Sequence, residues 1–450
     1  MVMWMAVLAL GAAVGAAEWP EAAMPMRAEA PDRIVVGPGA TELDGVRIAL
    51  DAPVVLQATP PTPVDVVDEP QGALPVWRPE ANAFWKGRPL RALATQECSA
   101  TGLLLPETLR IKTAPGEDAV CARGVDYELD AFWAVVGRLE GGAIAADAEV
   151  YADYTFRPMR IDTIAADADG VVQLIPGEAG VCIVYPPQLA EGLTALANVF
   201  WDGTDAPFGE ENLYPIDPAV DAAAAREEGP SIAERLLPRT LAKLRAGEPV
   251  TIVAWGDSVT NGGGVNADRD AWYQHQFLRL LEARFPETPI TLHTAAWGGA
   301  SSRQYLDSPK GSEHDFERDV LDRKPDLVTI EFVNDAYLDE AGVRREYGAI
   351  LDMIQGVGAE VVLITPHLVR PDWMQAESAK FDDDPRPYVQ ALRAFAAERG
   401  VAVAEASELW CKLWRRGIPY VTLLANSINH PDERGHRMFA EALMALFPEE

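Results

Sequence analysis

PVTIVAWGDSVTNGGG, residues 249–264, decides how the second half of this chain is read. An apolar, β-branched run leads directly into Gly256, Asp257 and Ser258, and three glycines follow at 262–264. A strand that ends in a serine held near glycines is either a polar turn or a display of Ser258 for chemistry. The residues on either side favour one setting. Candidate strands at 249–255, 289–295, 326–332, 360–365 and 401–404 alternate with candidate helices near 270–284, 313–322, 337–355, 385–399 and 433–446. Such alternation predicts βαβ units, hence an α/β domain with a parallel sheet and helices on both faces. Working sites in such sheets lie outside the carboxyl ends of the strands, so the loops there are where chemistry is sought.

The first half has a different texture. Residues 150–156, 170–176 and 180–186 are short, rich in β-branched and aromatic residues, and separated by Gly, Pro and Asp. These signals predict strands and turns, and together a β-sandwich-like domain. The Pro-rich stretch near residue 60 reads as a linker or edge segment. Helical texture begins after Asp221. The expected division is a β-rich domain over 28–220 and an α/β domain over 229–450.

With 450 residues, 48% of them hydrophobic, the chain has ample material for more than one buried core. Its formal net charge of −31 argues against a nucleic-acid binder and against docking on anionic membranes. The first 17 residues are apolar and end in Gly15, Ala16 and Ala17, as a secretory signal peptide would, although the n-region has no Lys or Arg. Export is the expectation, with no membrane span in the mature chain. Cys98, Cys121, Cys182 and Cys411 contain no CxxC pair, so they read either as separate buried thiols or as one bridge from Cys98 to Cys121 or Cys182. No metal or cofactor is expected: the histidines lack i, i+4 pairing, and the glycine run at 262–264 lacks dinucleotide-loop spacing. That run reads as a flexible turn at a pocket mouth.

Four loops share the expected location of the site. They hold Ser258 after the first strand, Gly299 after the second, Asn334 after the third, and His430 before the last helix. All six histidines lie in this half. The ordered set, GDSV at 256–259, the glycine of GASS at 299, VND at 333–335 and HP at 430–431, resembles the SGNH/GDSL hydrolase superfamily over roughly residues 240–450. That resemblance implies a flavodoxin-like sheet and ester hydrolysis by a serine nucleophile. Ser258 would attack, His430 would take its proton, and the N–H groups of Ser258 and Gly299 with the Asn334 amide would form the oxyanion hole.

Two positions depart from the family's pattern. Phe332 replaces a glycine two residues before the asparagine, and Ser427 stands where the acid that orients the histidine is usual. The expectation is a Ser–His dyad held by a main-chain carbonyl. Ser427, Asn426, Asp432 and an acid from elsewhere in the fold are the alternatives, with helix capping the simpler role for Asp432. His367, Arg370 and Asp257 are candidate substrate contacts, whereas His436 reads as structural. Trp255, Trp297 and Trp373 read as packing or as sugar-stacking rings. The leading reading is an exported serine esterase removing acetyl or similar groups from a carbohydrate. The others are a lipase- or thioesterase-type hydrolase of small acyl substrates and a retired glycan-binding surface protein.

Overall fold

The computed structural model describes residues 24–29, 32–43, 45–116, 120–222 and 229–449. The expected leader, and most of the Ala-rich stretch after Asp221, lie outside them. Among the described residues no helix is long and apolar enough to cross a membrane.

Five strands in the second half, Val250–Gly256, Ile290–Ala296, Leu327–Glu331, Glu360–Ile364 and Ala402–Ala404, form one parallel sheet in the order second, first, third, fourth, fifth. This is the flavodoxin-like order, with its switch point at the first strand. The strands read as near-continuous apolar runs because both faces are covered. Val253, Trp255, Val328 and Ile330 face one buried cluster, which includes Tyr347 and Phe395 from helices Glu340–Gly356 and Pro387–Arg399. Val250, Ile252, Val362 and Ile364 face the other, with Phe277 of helix Tyr273–Arg284 and Phe439 of helix Glu433–Met444. Phe332, the residue in place of the family's glycine, is buried with its ring 4.8 Å from that of Trp255, nearly edge-on. Trp255 is therefore packing. The helix expected over 313–322 shortens to Phe316–Asp319 and a following single turn.

The first half is antiparallel throughout its multi-stranded sheets and sandwich-like. Strand Glu149–Phe156 alternates buried and half-buried residues, as a strand with one face on a core should. Among the described residues, two main apolar cores lie in this half. One joins residues 24–58 to residues 164–213, through Ile34, Ile48, Ile164 and Val199. The other, through Leu74, Ile111, Val136 and Tyr154, belongs to the intervening residues, so a second lobe is inserted into the first. Residues 180–186, read as a strand, are irregular apart from a bridge between Gly180 and Met159. Pro186 and Pro187 have no N–H to offer a ladder. The thiol of Cys182 is drawn instead to the carbonyls of Leu424 and Ala425. All four cysteines are free thiols, so the bridge considered from sequence is not formed.

The two halves are joined by main-chain and apolar contacts. Asp217 N–H donates to Arg415 O at 2.7 Å, and the Asn198 amide donates to Gly417 O at 2.7 Å. Trp414 packs with Phe200 and Tyr214. The inserted lobe reaches further, placing Cys98, Trp133 and Val135 in one cluster with Ile428.

Phe439 is fully buried between the rings of Tyr273 and His367, 5.4 and 5.7 Å away. Phe439→Ala is expected to cost about 3–5 kcal/mol, through lost burial and an incompletely collapsed cavity. Urea unfolding monitored by tryptophan fluorescence reads this as a lower midpoint; a change below about 1 kcal/mol would contradict the packing described.

Candidate functional site

Ser258 follows the first strand at the switch point of the sheet, and its Oγ lies 3.0 Å from His430 Nε2. The sequence separation is 172 residues, so two loops must be fixed independently and then against each other.

The loop that carries Ser258 is fixed from inside. Asp257 is fully buried; its Oδ1 accepts from Val259 N–H at 3.1 Å, and its Oδ2 accepts from the main-chain and side-chain N–H groups of Asn334 at 3.0 and 2.9 Å. These bonds tie the loop after the first strand to the loop after the third. The expectation that Asp257 touches substrate is corrected, because it has no exposed surface and its oxygens are engaged. The Gly298–Gly299 turn lies beside the serine: a side chain at Gly298 would come within 3.8 Å of Ser258 Cβ. Gly299 has φ +78°, a left-handed conformation that glycine adopts without steric cost. Among the described residues, the N–H groups of Ser258 and Gly299 donate to no protein acceptor. The Asn334 side-chain amide is already occupied by Asp257 and by Ala300 O at 3.3 Å.

The glycine run is not a flexible turn. Gly263 N–H donates to Ser258 O at 2.8 Å, and Gly263 O accepts from His436 Nε2 at 2.9 Å. A side chain on Gly264 would collide with Pro431 O at 1.8 Å, and Gly264 has φ +98°. The run is a close-packed seam between the serine loop and the histidine loop. His436 completes it, with Nδ1 accepting from Tyr273 N–H at 3.2 Å.

The histidine loop, 424–432, is folded by one side chain. Asn426 Oδ1 accepts from the N–H groups of Ile428, Asn429 and His430 at 3.0, 2.8 and 2.9 Å. Ala425 N–H donates to His430 O at 2.7 Å, closing the loop. His367, a candidate substrate contact, is fully buried beneath it and meets Asn429 O through Nε2 at 2.6 Å. It is a buttress, and burial holds its imidazole well below the ordinary histidine range. Asp432 caps the last helix through Gly435 N–H at 3.2 Å and pairs with Arg434. Ser427 turns its hydroxyl to Cys182 Sγ at 3.2 Å. None of Asn426, Ser427 and Asp432 reaches the second imidazole nitrogen. Nor, among the described residues, does a main-chain carbonyl, so the expected dyad arrangement is corrected as well.

What stands beside His430 Nδ1 is Glu97, a residue the sequence reading did not single out. Its Oε2 lies 3.2 Å away, at ion-pair distance but off the direction of a well-aligned hydrogen bond. The contact with His430 holds the Glu97 carboxyl below its ordinary value. Glu97 comes from the inserted lobe, and its φ of +68° is left-handed, a conformation that costs a non-glycine residue about 1–3 kcal/mol. No motif surrounds it in TQECSA, so proximity in the fold was the only available signal.

Arg370 is buried, pairs with Asp372 at 2.5 Å, and lies over the rings of Phe132 and Trp133 at 4.8 and 4.9 Å. With Phe132, Tyr214, Asn212, Asp202 and Ser427 it lines a cavity of about 490 Å³ between the halves of the molecule. Ser258 and His430 do not line that cavity; Ser427, three residues before His430, does. Trp297 stacks on His314 at 4.4 Å, and Trp373 is half exposed. No group of three or more metal-ligating side chains is placed to hold an ion among the described residues.

The buried titratable groups set a pH dependence. Burial pushes the carboxyl of Asp257 up to about 7, that of Asp335 to about 6, and that of Glu331 well above its ordinary value. Their folded-state pKa values exceed the unfolded ones, so their contribution is complete below ~4 and is lost progressively as pH rises from there through 6–7, and further for Glu331. Burial lowers His436 to about 4 and also depresses His367. Their contribution is complete above ~6.5 and is lost on acidification. Above pH ~6.5 the histidine contribution is complete and only the carboxyl loss continues, so stability should fall between pH ~6.5 and ~8. Urea midpoints measured across this range test it; a midpoint that holds or rises up to pH ~8 refutes the assignment.

Several solved structures are similar. A two-domain esterase (CEX) active on acetylated mannans aligns at 20% identity over 47% of this chain and 52% of that one, with a TM-score of 0.36. The chain thus spans about half the length of that protein. An acetyl xylan esterase, AlAXEase, aligns at 20% identity over 43% of this chain and 98% of that one, with a TM-score of 0.35. Axe2, an acetylxylan esterase from Geobacillus stearothermophilus, aligns at 19% identity over 44% and 95%, with the same score. These likenesses are too distant to bear on substrate. No curated protein matches the sequence. The family model that matches is the GDSL-like Lipase/Acylhydrolase family, over residues 254–438, a span that contains Ser258, Gly299, Asn334 and His430 but not Glu97. The C-terminal half of this chain accordingly carries a GDSL-like lipase/acylhydrolase domain, set against a β-rich N-terminal half that the family model does not cover.

Proposed function

We propose that the protein is a serine esterase that removes acetyl or similarly small acyl groups from a carbohydrate. The observation that carries the hydrolase reading is the 3.0 Å contact between Ser258 Oγ and His430 Nε2 at the switch point of the sheet. In the proposed reaction Ser258 Oγ attacks the ester carbonyl while its proton passes to His430 Nε2. The tetrahedral oxyanion is met by the unoccupied N–H groups of Ser258 and Gly299. Asn334 joins them only by exchanging one of its present acceptors, Asp257 or Ala300. The carbon–oxygen bond to the alcohol then breaks, and His430 returns its proton to the leaving alcohol. Water repeats the sequence on the acyl-serine, releasing the acid and restoring Ser258.

The carbohydrate part rests on the cavity between the halves, which Ser427, three residues before His430, helps to line. The cavity of about 490 Å³ falls in the size range of small-ligand sites. Its lining mixes aromatic rings, Phe132 and Tyr214, with Asp202, Asn212 and Thr204, groups suited to the apolar faces and hydroxyls of a sugar. Export fits a glycan substrate and is proposed with it.

Wild-type protein is expected to hydrolyse 4-nitrophenyl acetate and to release acetate from acetylated oligosaccharides, with short acyl chains preferred. Ser258→Ala should lower turnover by on the order of 10⁴-fold or more. If wild type does not exceed buffer, the retired-site reading takes its place. If an eight-carbon acyl ester is the better substrate and acetylated glycans are inert, the lipase-type reading does.

A further inference from the structure

We propose that Glu97, supplied by the inserted β-rich lobe, orients His430 for catalysis, so that the active site is completed across the domain boundary. This inference rests on the serine-esterase reading of Ser258 and His430. An imidazole that takes a proton at Nε2 must carry its other proton on Nδ1, and an acceptor there fixes the ring and stabilises the imidazolium. Glu97 Oε2, 3.2 Å from Nδ1, is the carboxylate that the fold brings to this nitrogen. The carboxylates nearest in sequence or space are committed elsewhere: Asp432 to the helix cap and Arg434, Asp257 to Val259 and Asn334. The loose alignment suits a site without substrate, where catalytic hydrogen bonds are often imperfect.

The way Glu97 is held argues that its placement is specific. It sits at the tip of a tight turn, closed by Thr95 N–H donating to Cys98 O at 3.0 Å and by a bridge between Ala94 and Ser99. The base of that turn is pinned to the histidine loop itself, since Cys98 Sγ donates to Asn426 O and Cys98 packs with Trp133 and Ile428. Asn426 is the residue whose side chain folds the loop around His430. One short segment therefore grips the loop and presents a carboxylate to its histidine. The left-handed φ of +68° at Glu97 is a conformation that glycine would adopt at less cost, yet the side chain there is the one that meets His430.

That conformation provides the test. Glu97→Gly removes the carboxylate while relieving the backbone, and Glu97→Gln keeps the shape without the charge. Both are expected to lower kcat for 4-nitrophenyl acetate by ~10- to 100-fold with KM little changed. The loss is smaller than the ~10⁴ seen for a buried triad aspartate, because Glu97 is 56% exposed and screened by solvent. Glu97→Asp should retain more activity than Glu97→Gln, and the thermal midpoint of Glu97→Gly should equal or exceed that of wild type. The proposal is overturned if either the Gly or the Gln variant keeps kcat within about twofold of wild type, or if the Gly variant loses kcat together with thermal stability. An inactive wild type would instead remove the esterase reading on which the proposal stands.

Discussion

A histidine must meet a serine that lies far behind it in the chain, and that meeting is the constraint on which the rest of the structure depends. The 3.0 Å contact between His430 and Ser258 leaves little room for either loop to wander. Helices and strands are stiff, but both residues sit on loops, where backbone polar groups must find partners without help from a ladder. The protein answers with buried polar side chains that take several main-chain donors at once. Asp257 does this for the serine side, and Asn426 does it for the histidine side. The glycines at 262–264 then let the two loops touch with no side chain between them.

The α/β half was legible in the sequence because its signals are local. Strands covered on both faces appear as apolar runs, and the helices between them have the usual period. The loop residues Ser258, Gly299, Asn334 and His430 could be placed because each follows or precedes such an element. Roles that depend on distant partners were harder to read. His367 looked like a pocket residue because it follows a strand, but the chain turns it under Asn429. The glycine run looked flexible because glycine usually is, but contact with Pro431 fixes it. Glu97 carried no local signal, since its significance arises only when the inserted lobe docks.

The β-rich half was legible as a class and not as an arrangement. Alternating patterns such as that of 149–156 identify strands but leave pairing open, and pairing here separates two cores. The first is closed by segments more than a hundred residues apart, with the second lobe between them. Short strands broken by Pro and Gly give the same local pattern in one core or in two. The irregular path of 180–186 illustrates the point, because its apolar residues serve an interface with the C-terminal loops rather than a sheet.

The pinning of the histidine loop by the inserted lobe also bears on how such a protein can change over evolutionary time. An accessory domain joined by a linker can be exchanged for another without disturbing the chemistry next to it. Here the lobe shares a core with Ile428 and touches the loop through Cys98, while Cys182 of the enclosing core reaches the same loop. Replacing it would expose that core and release the loop. The lobe and the hydrolase domain are therefore coupled through their seam, and the effects of substitutions on its two sides should be non-additive.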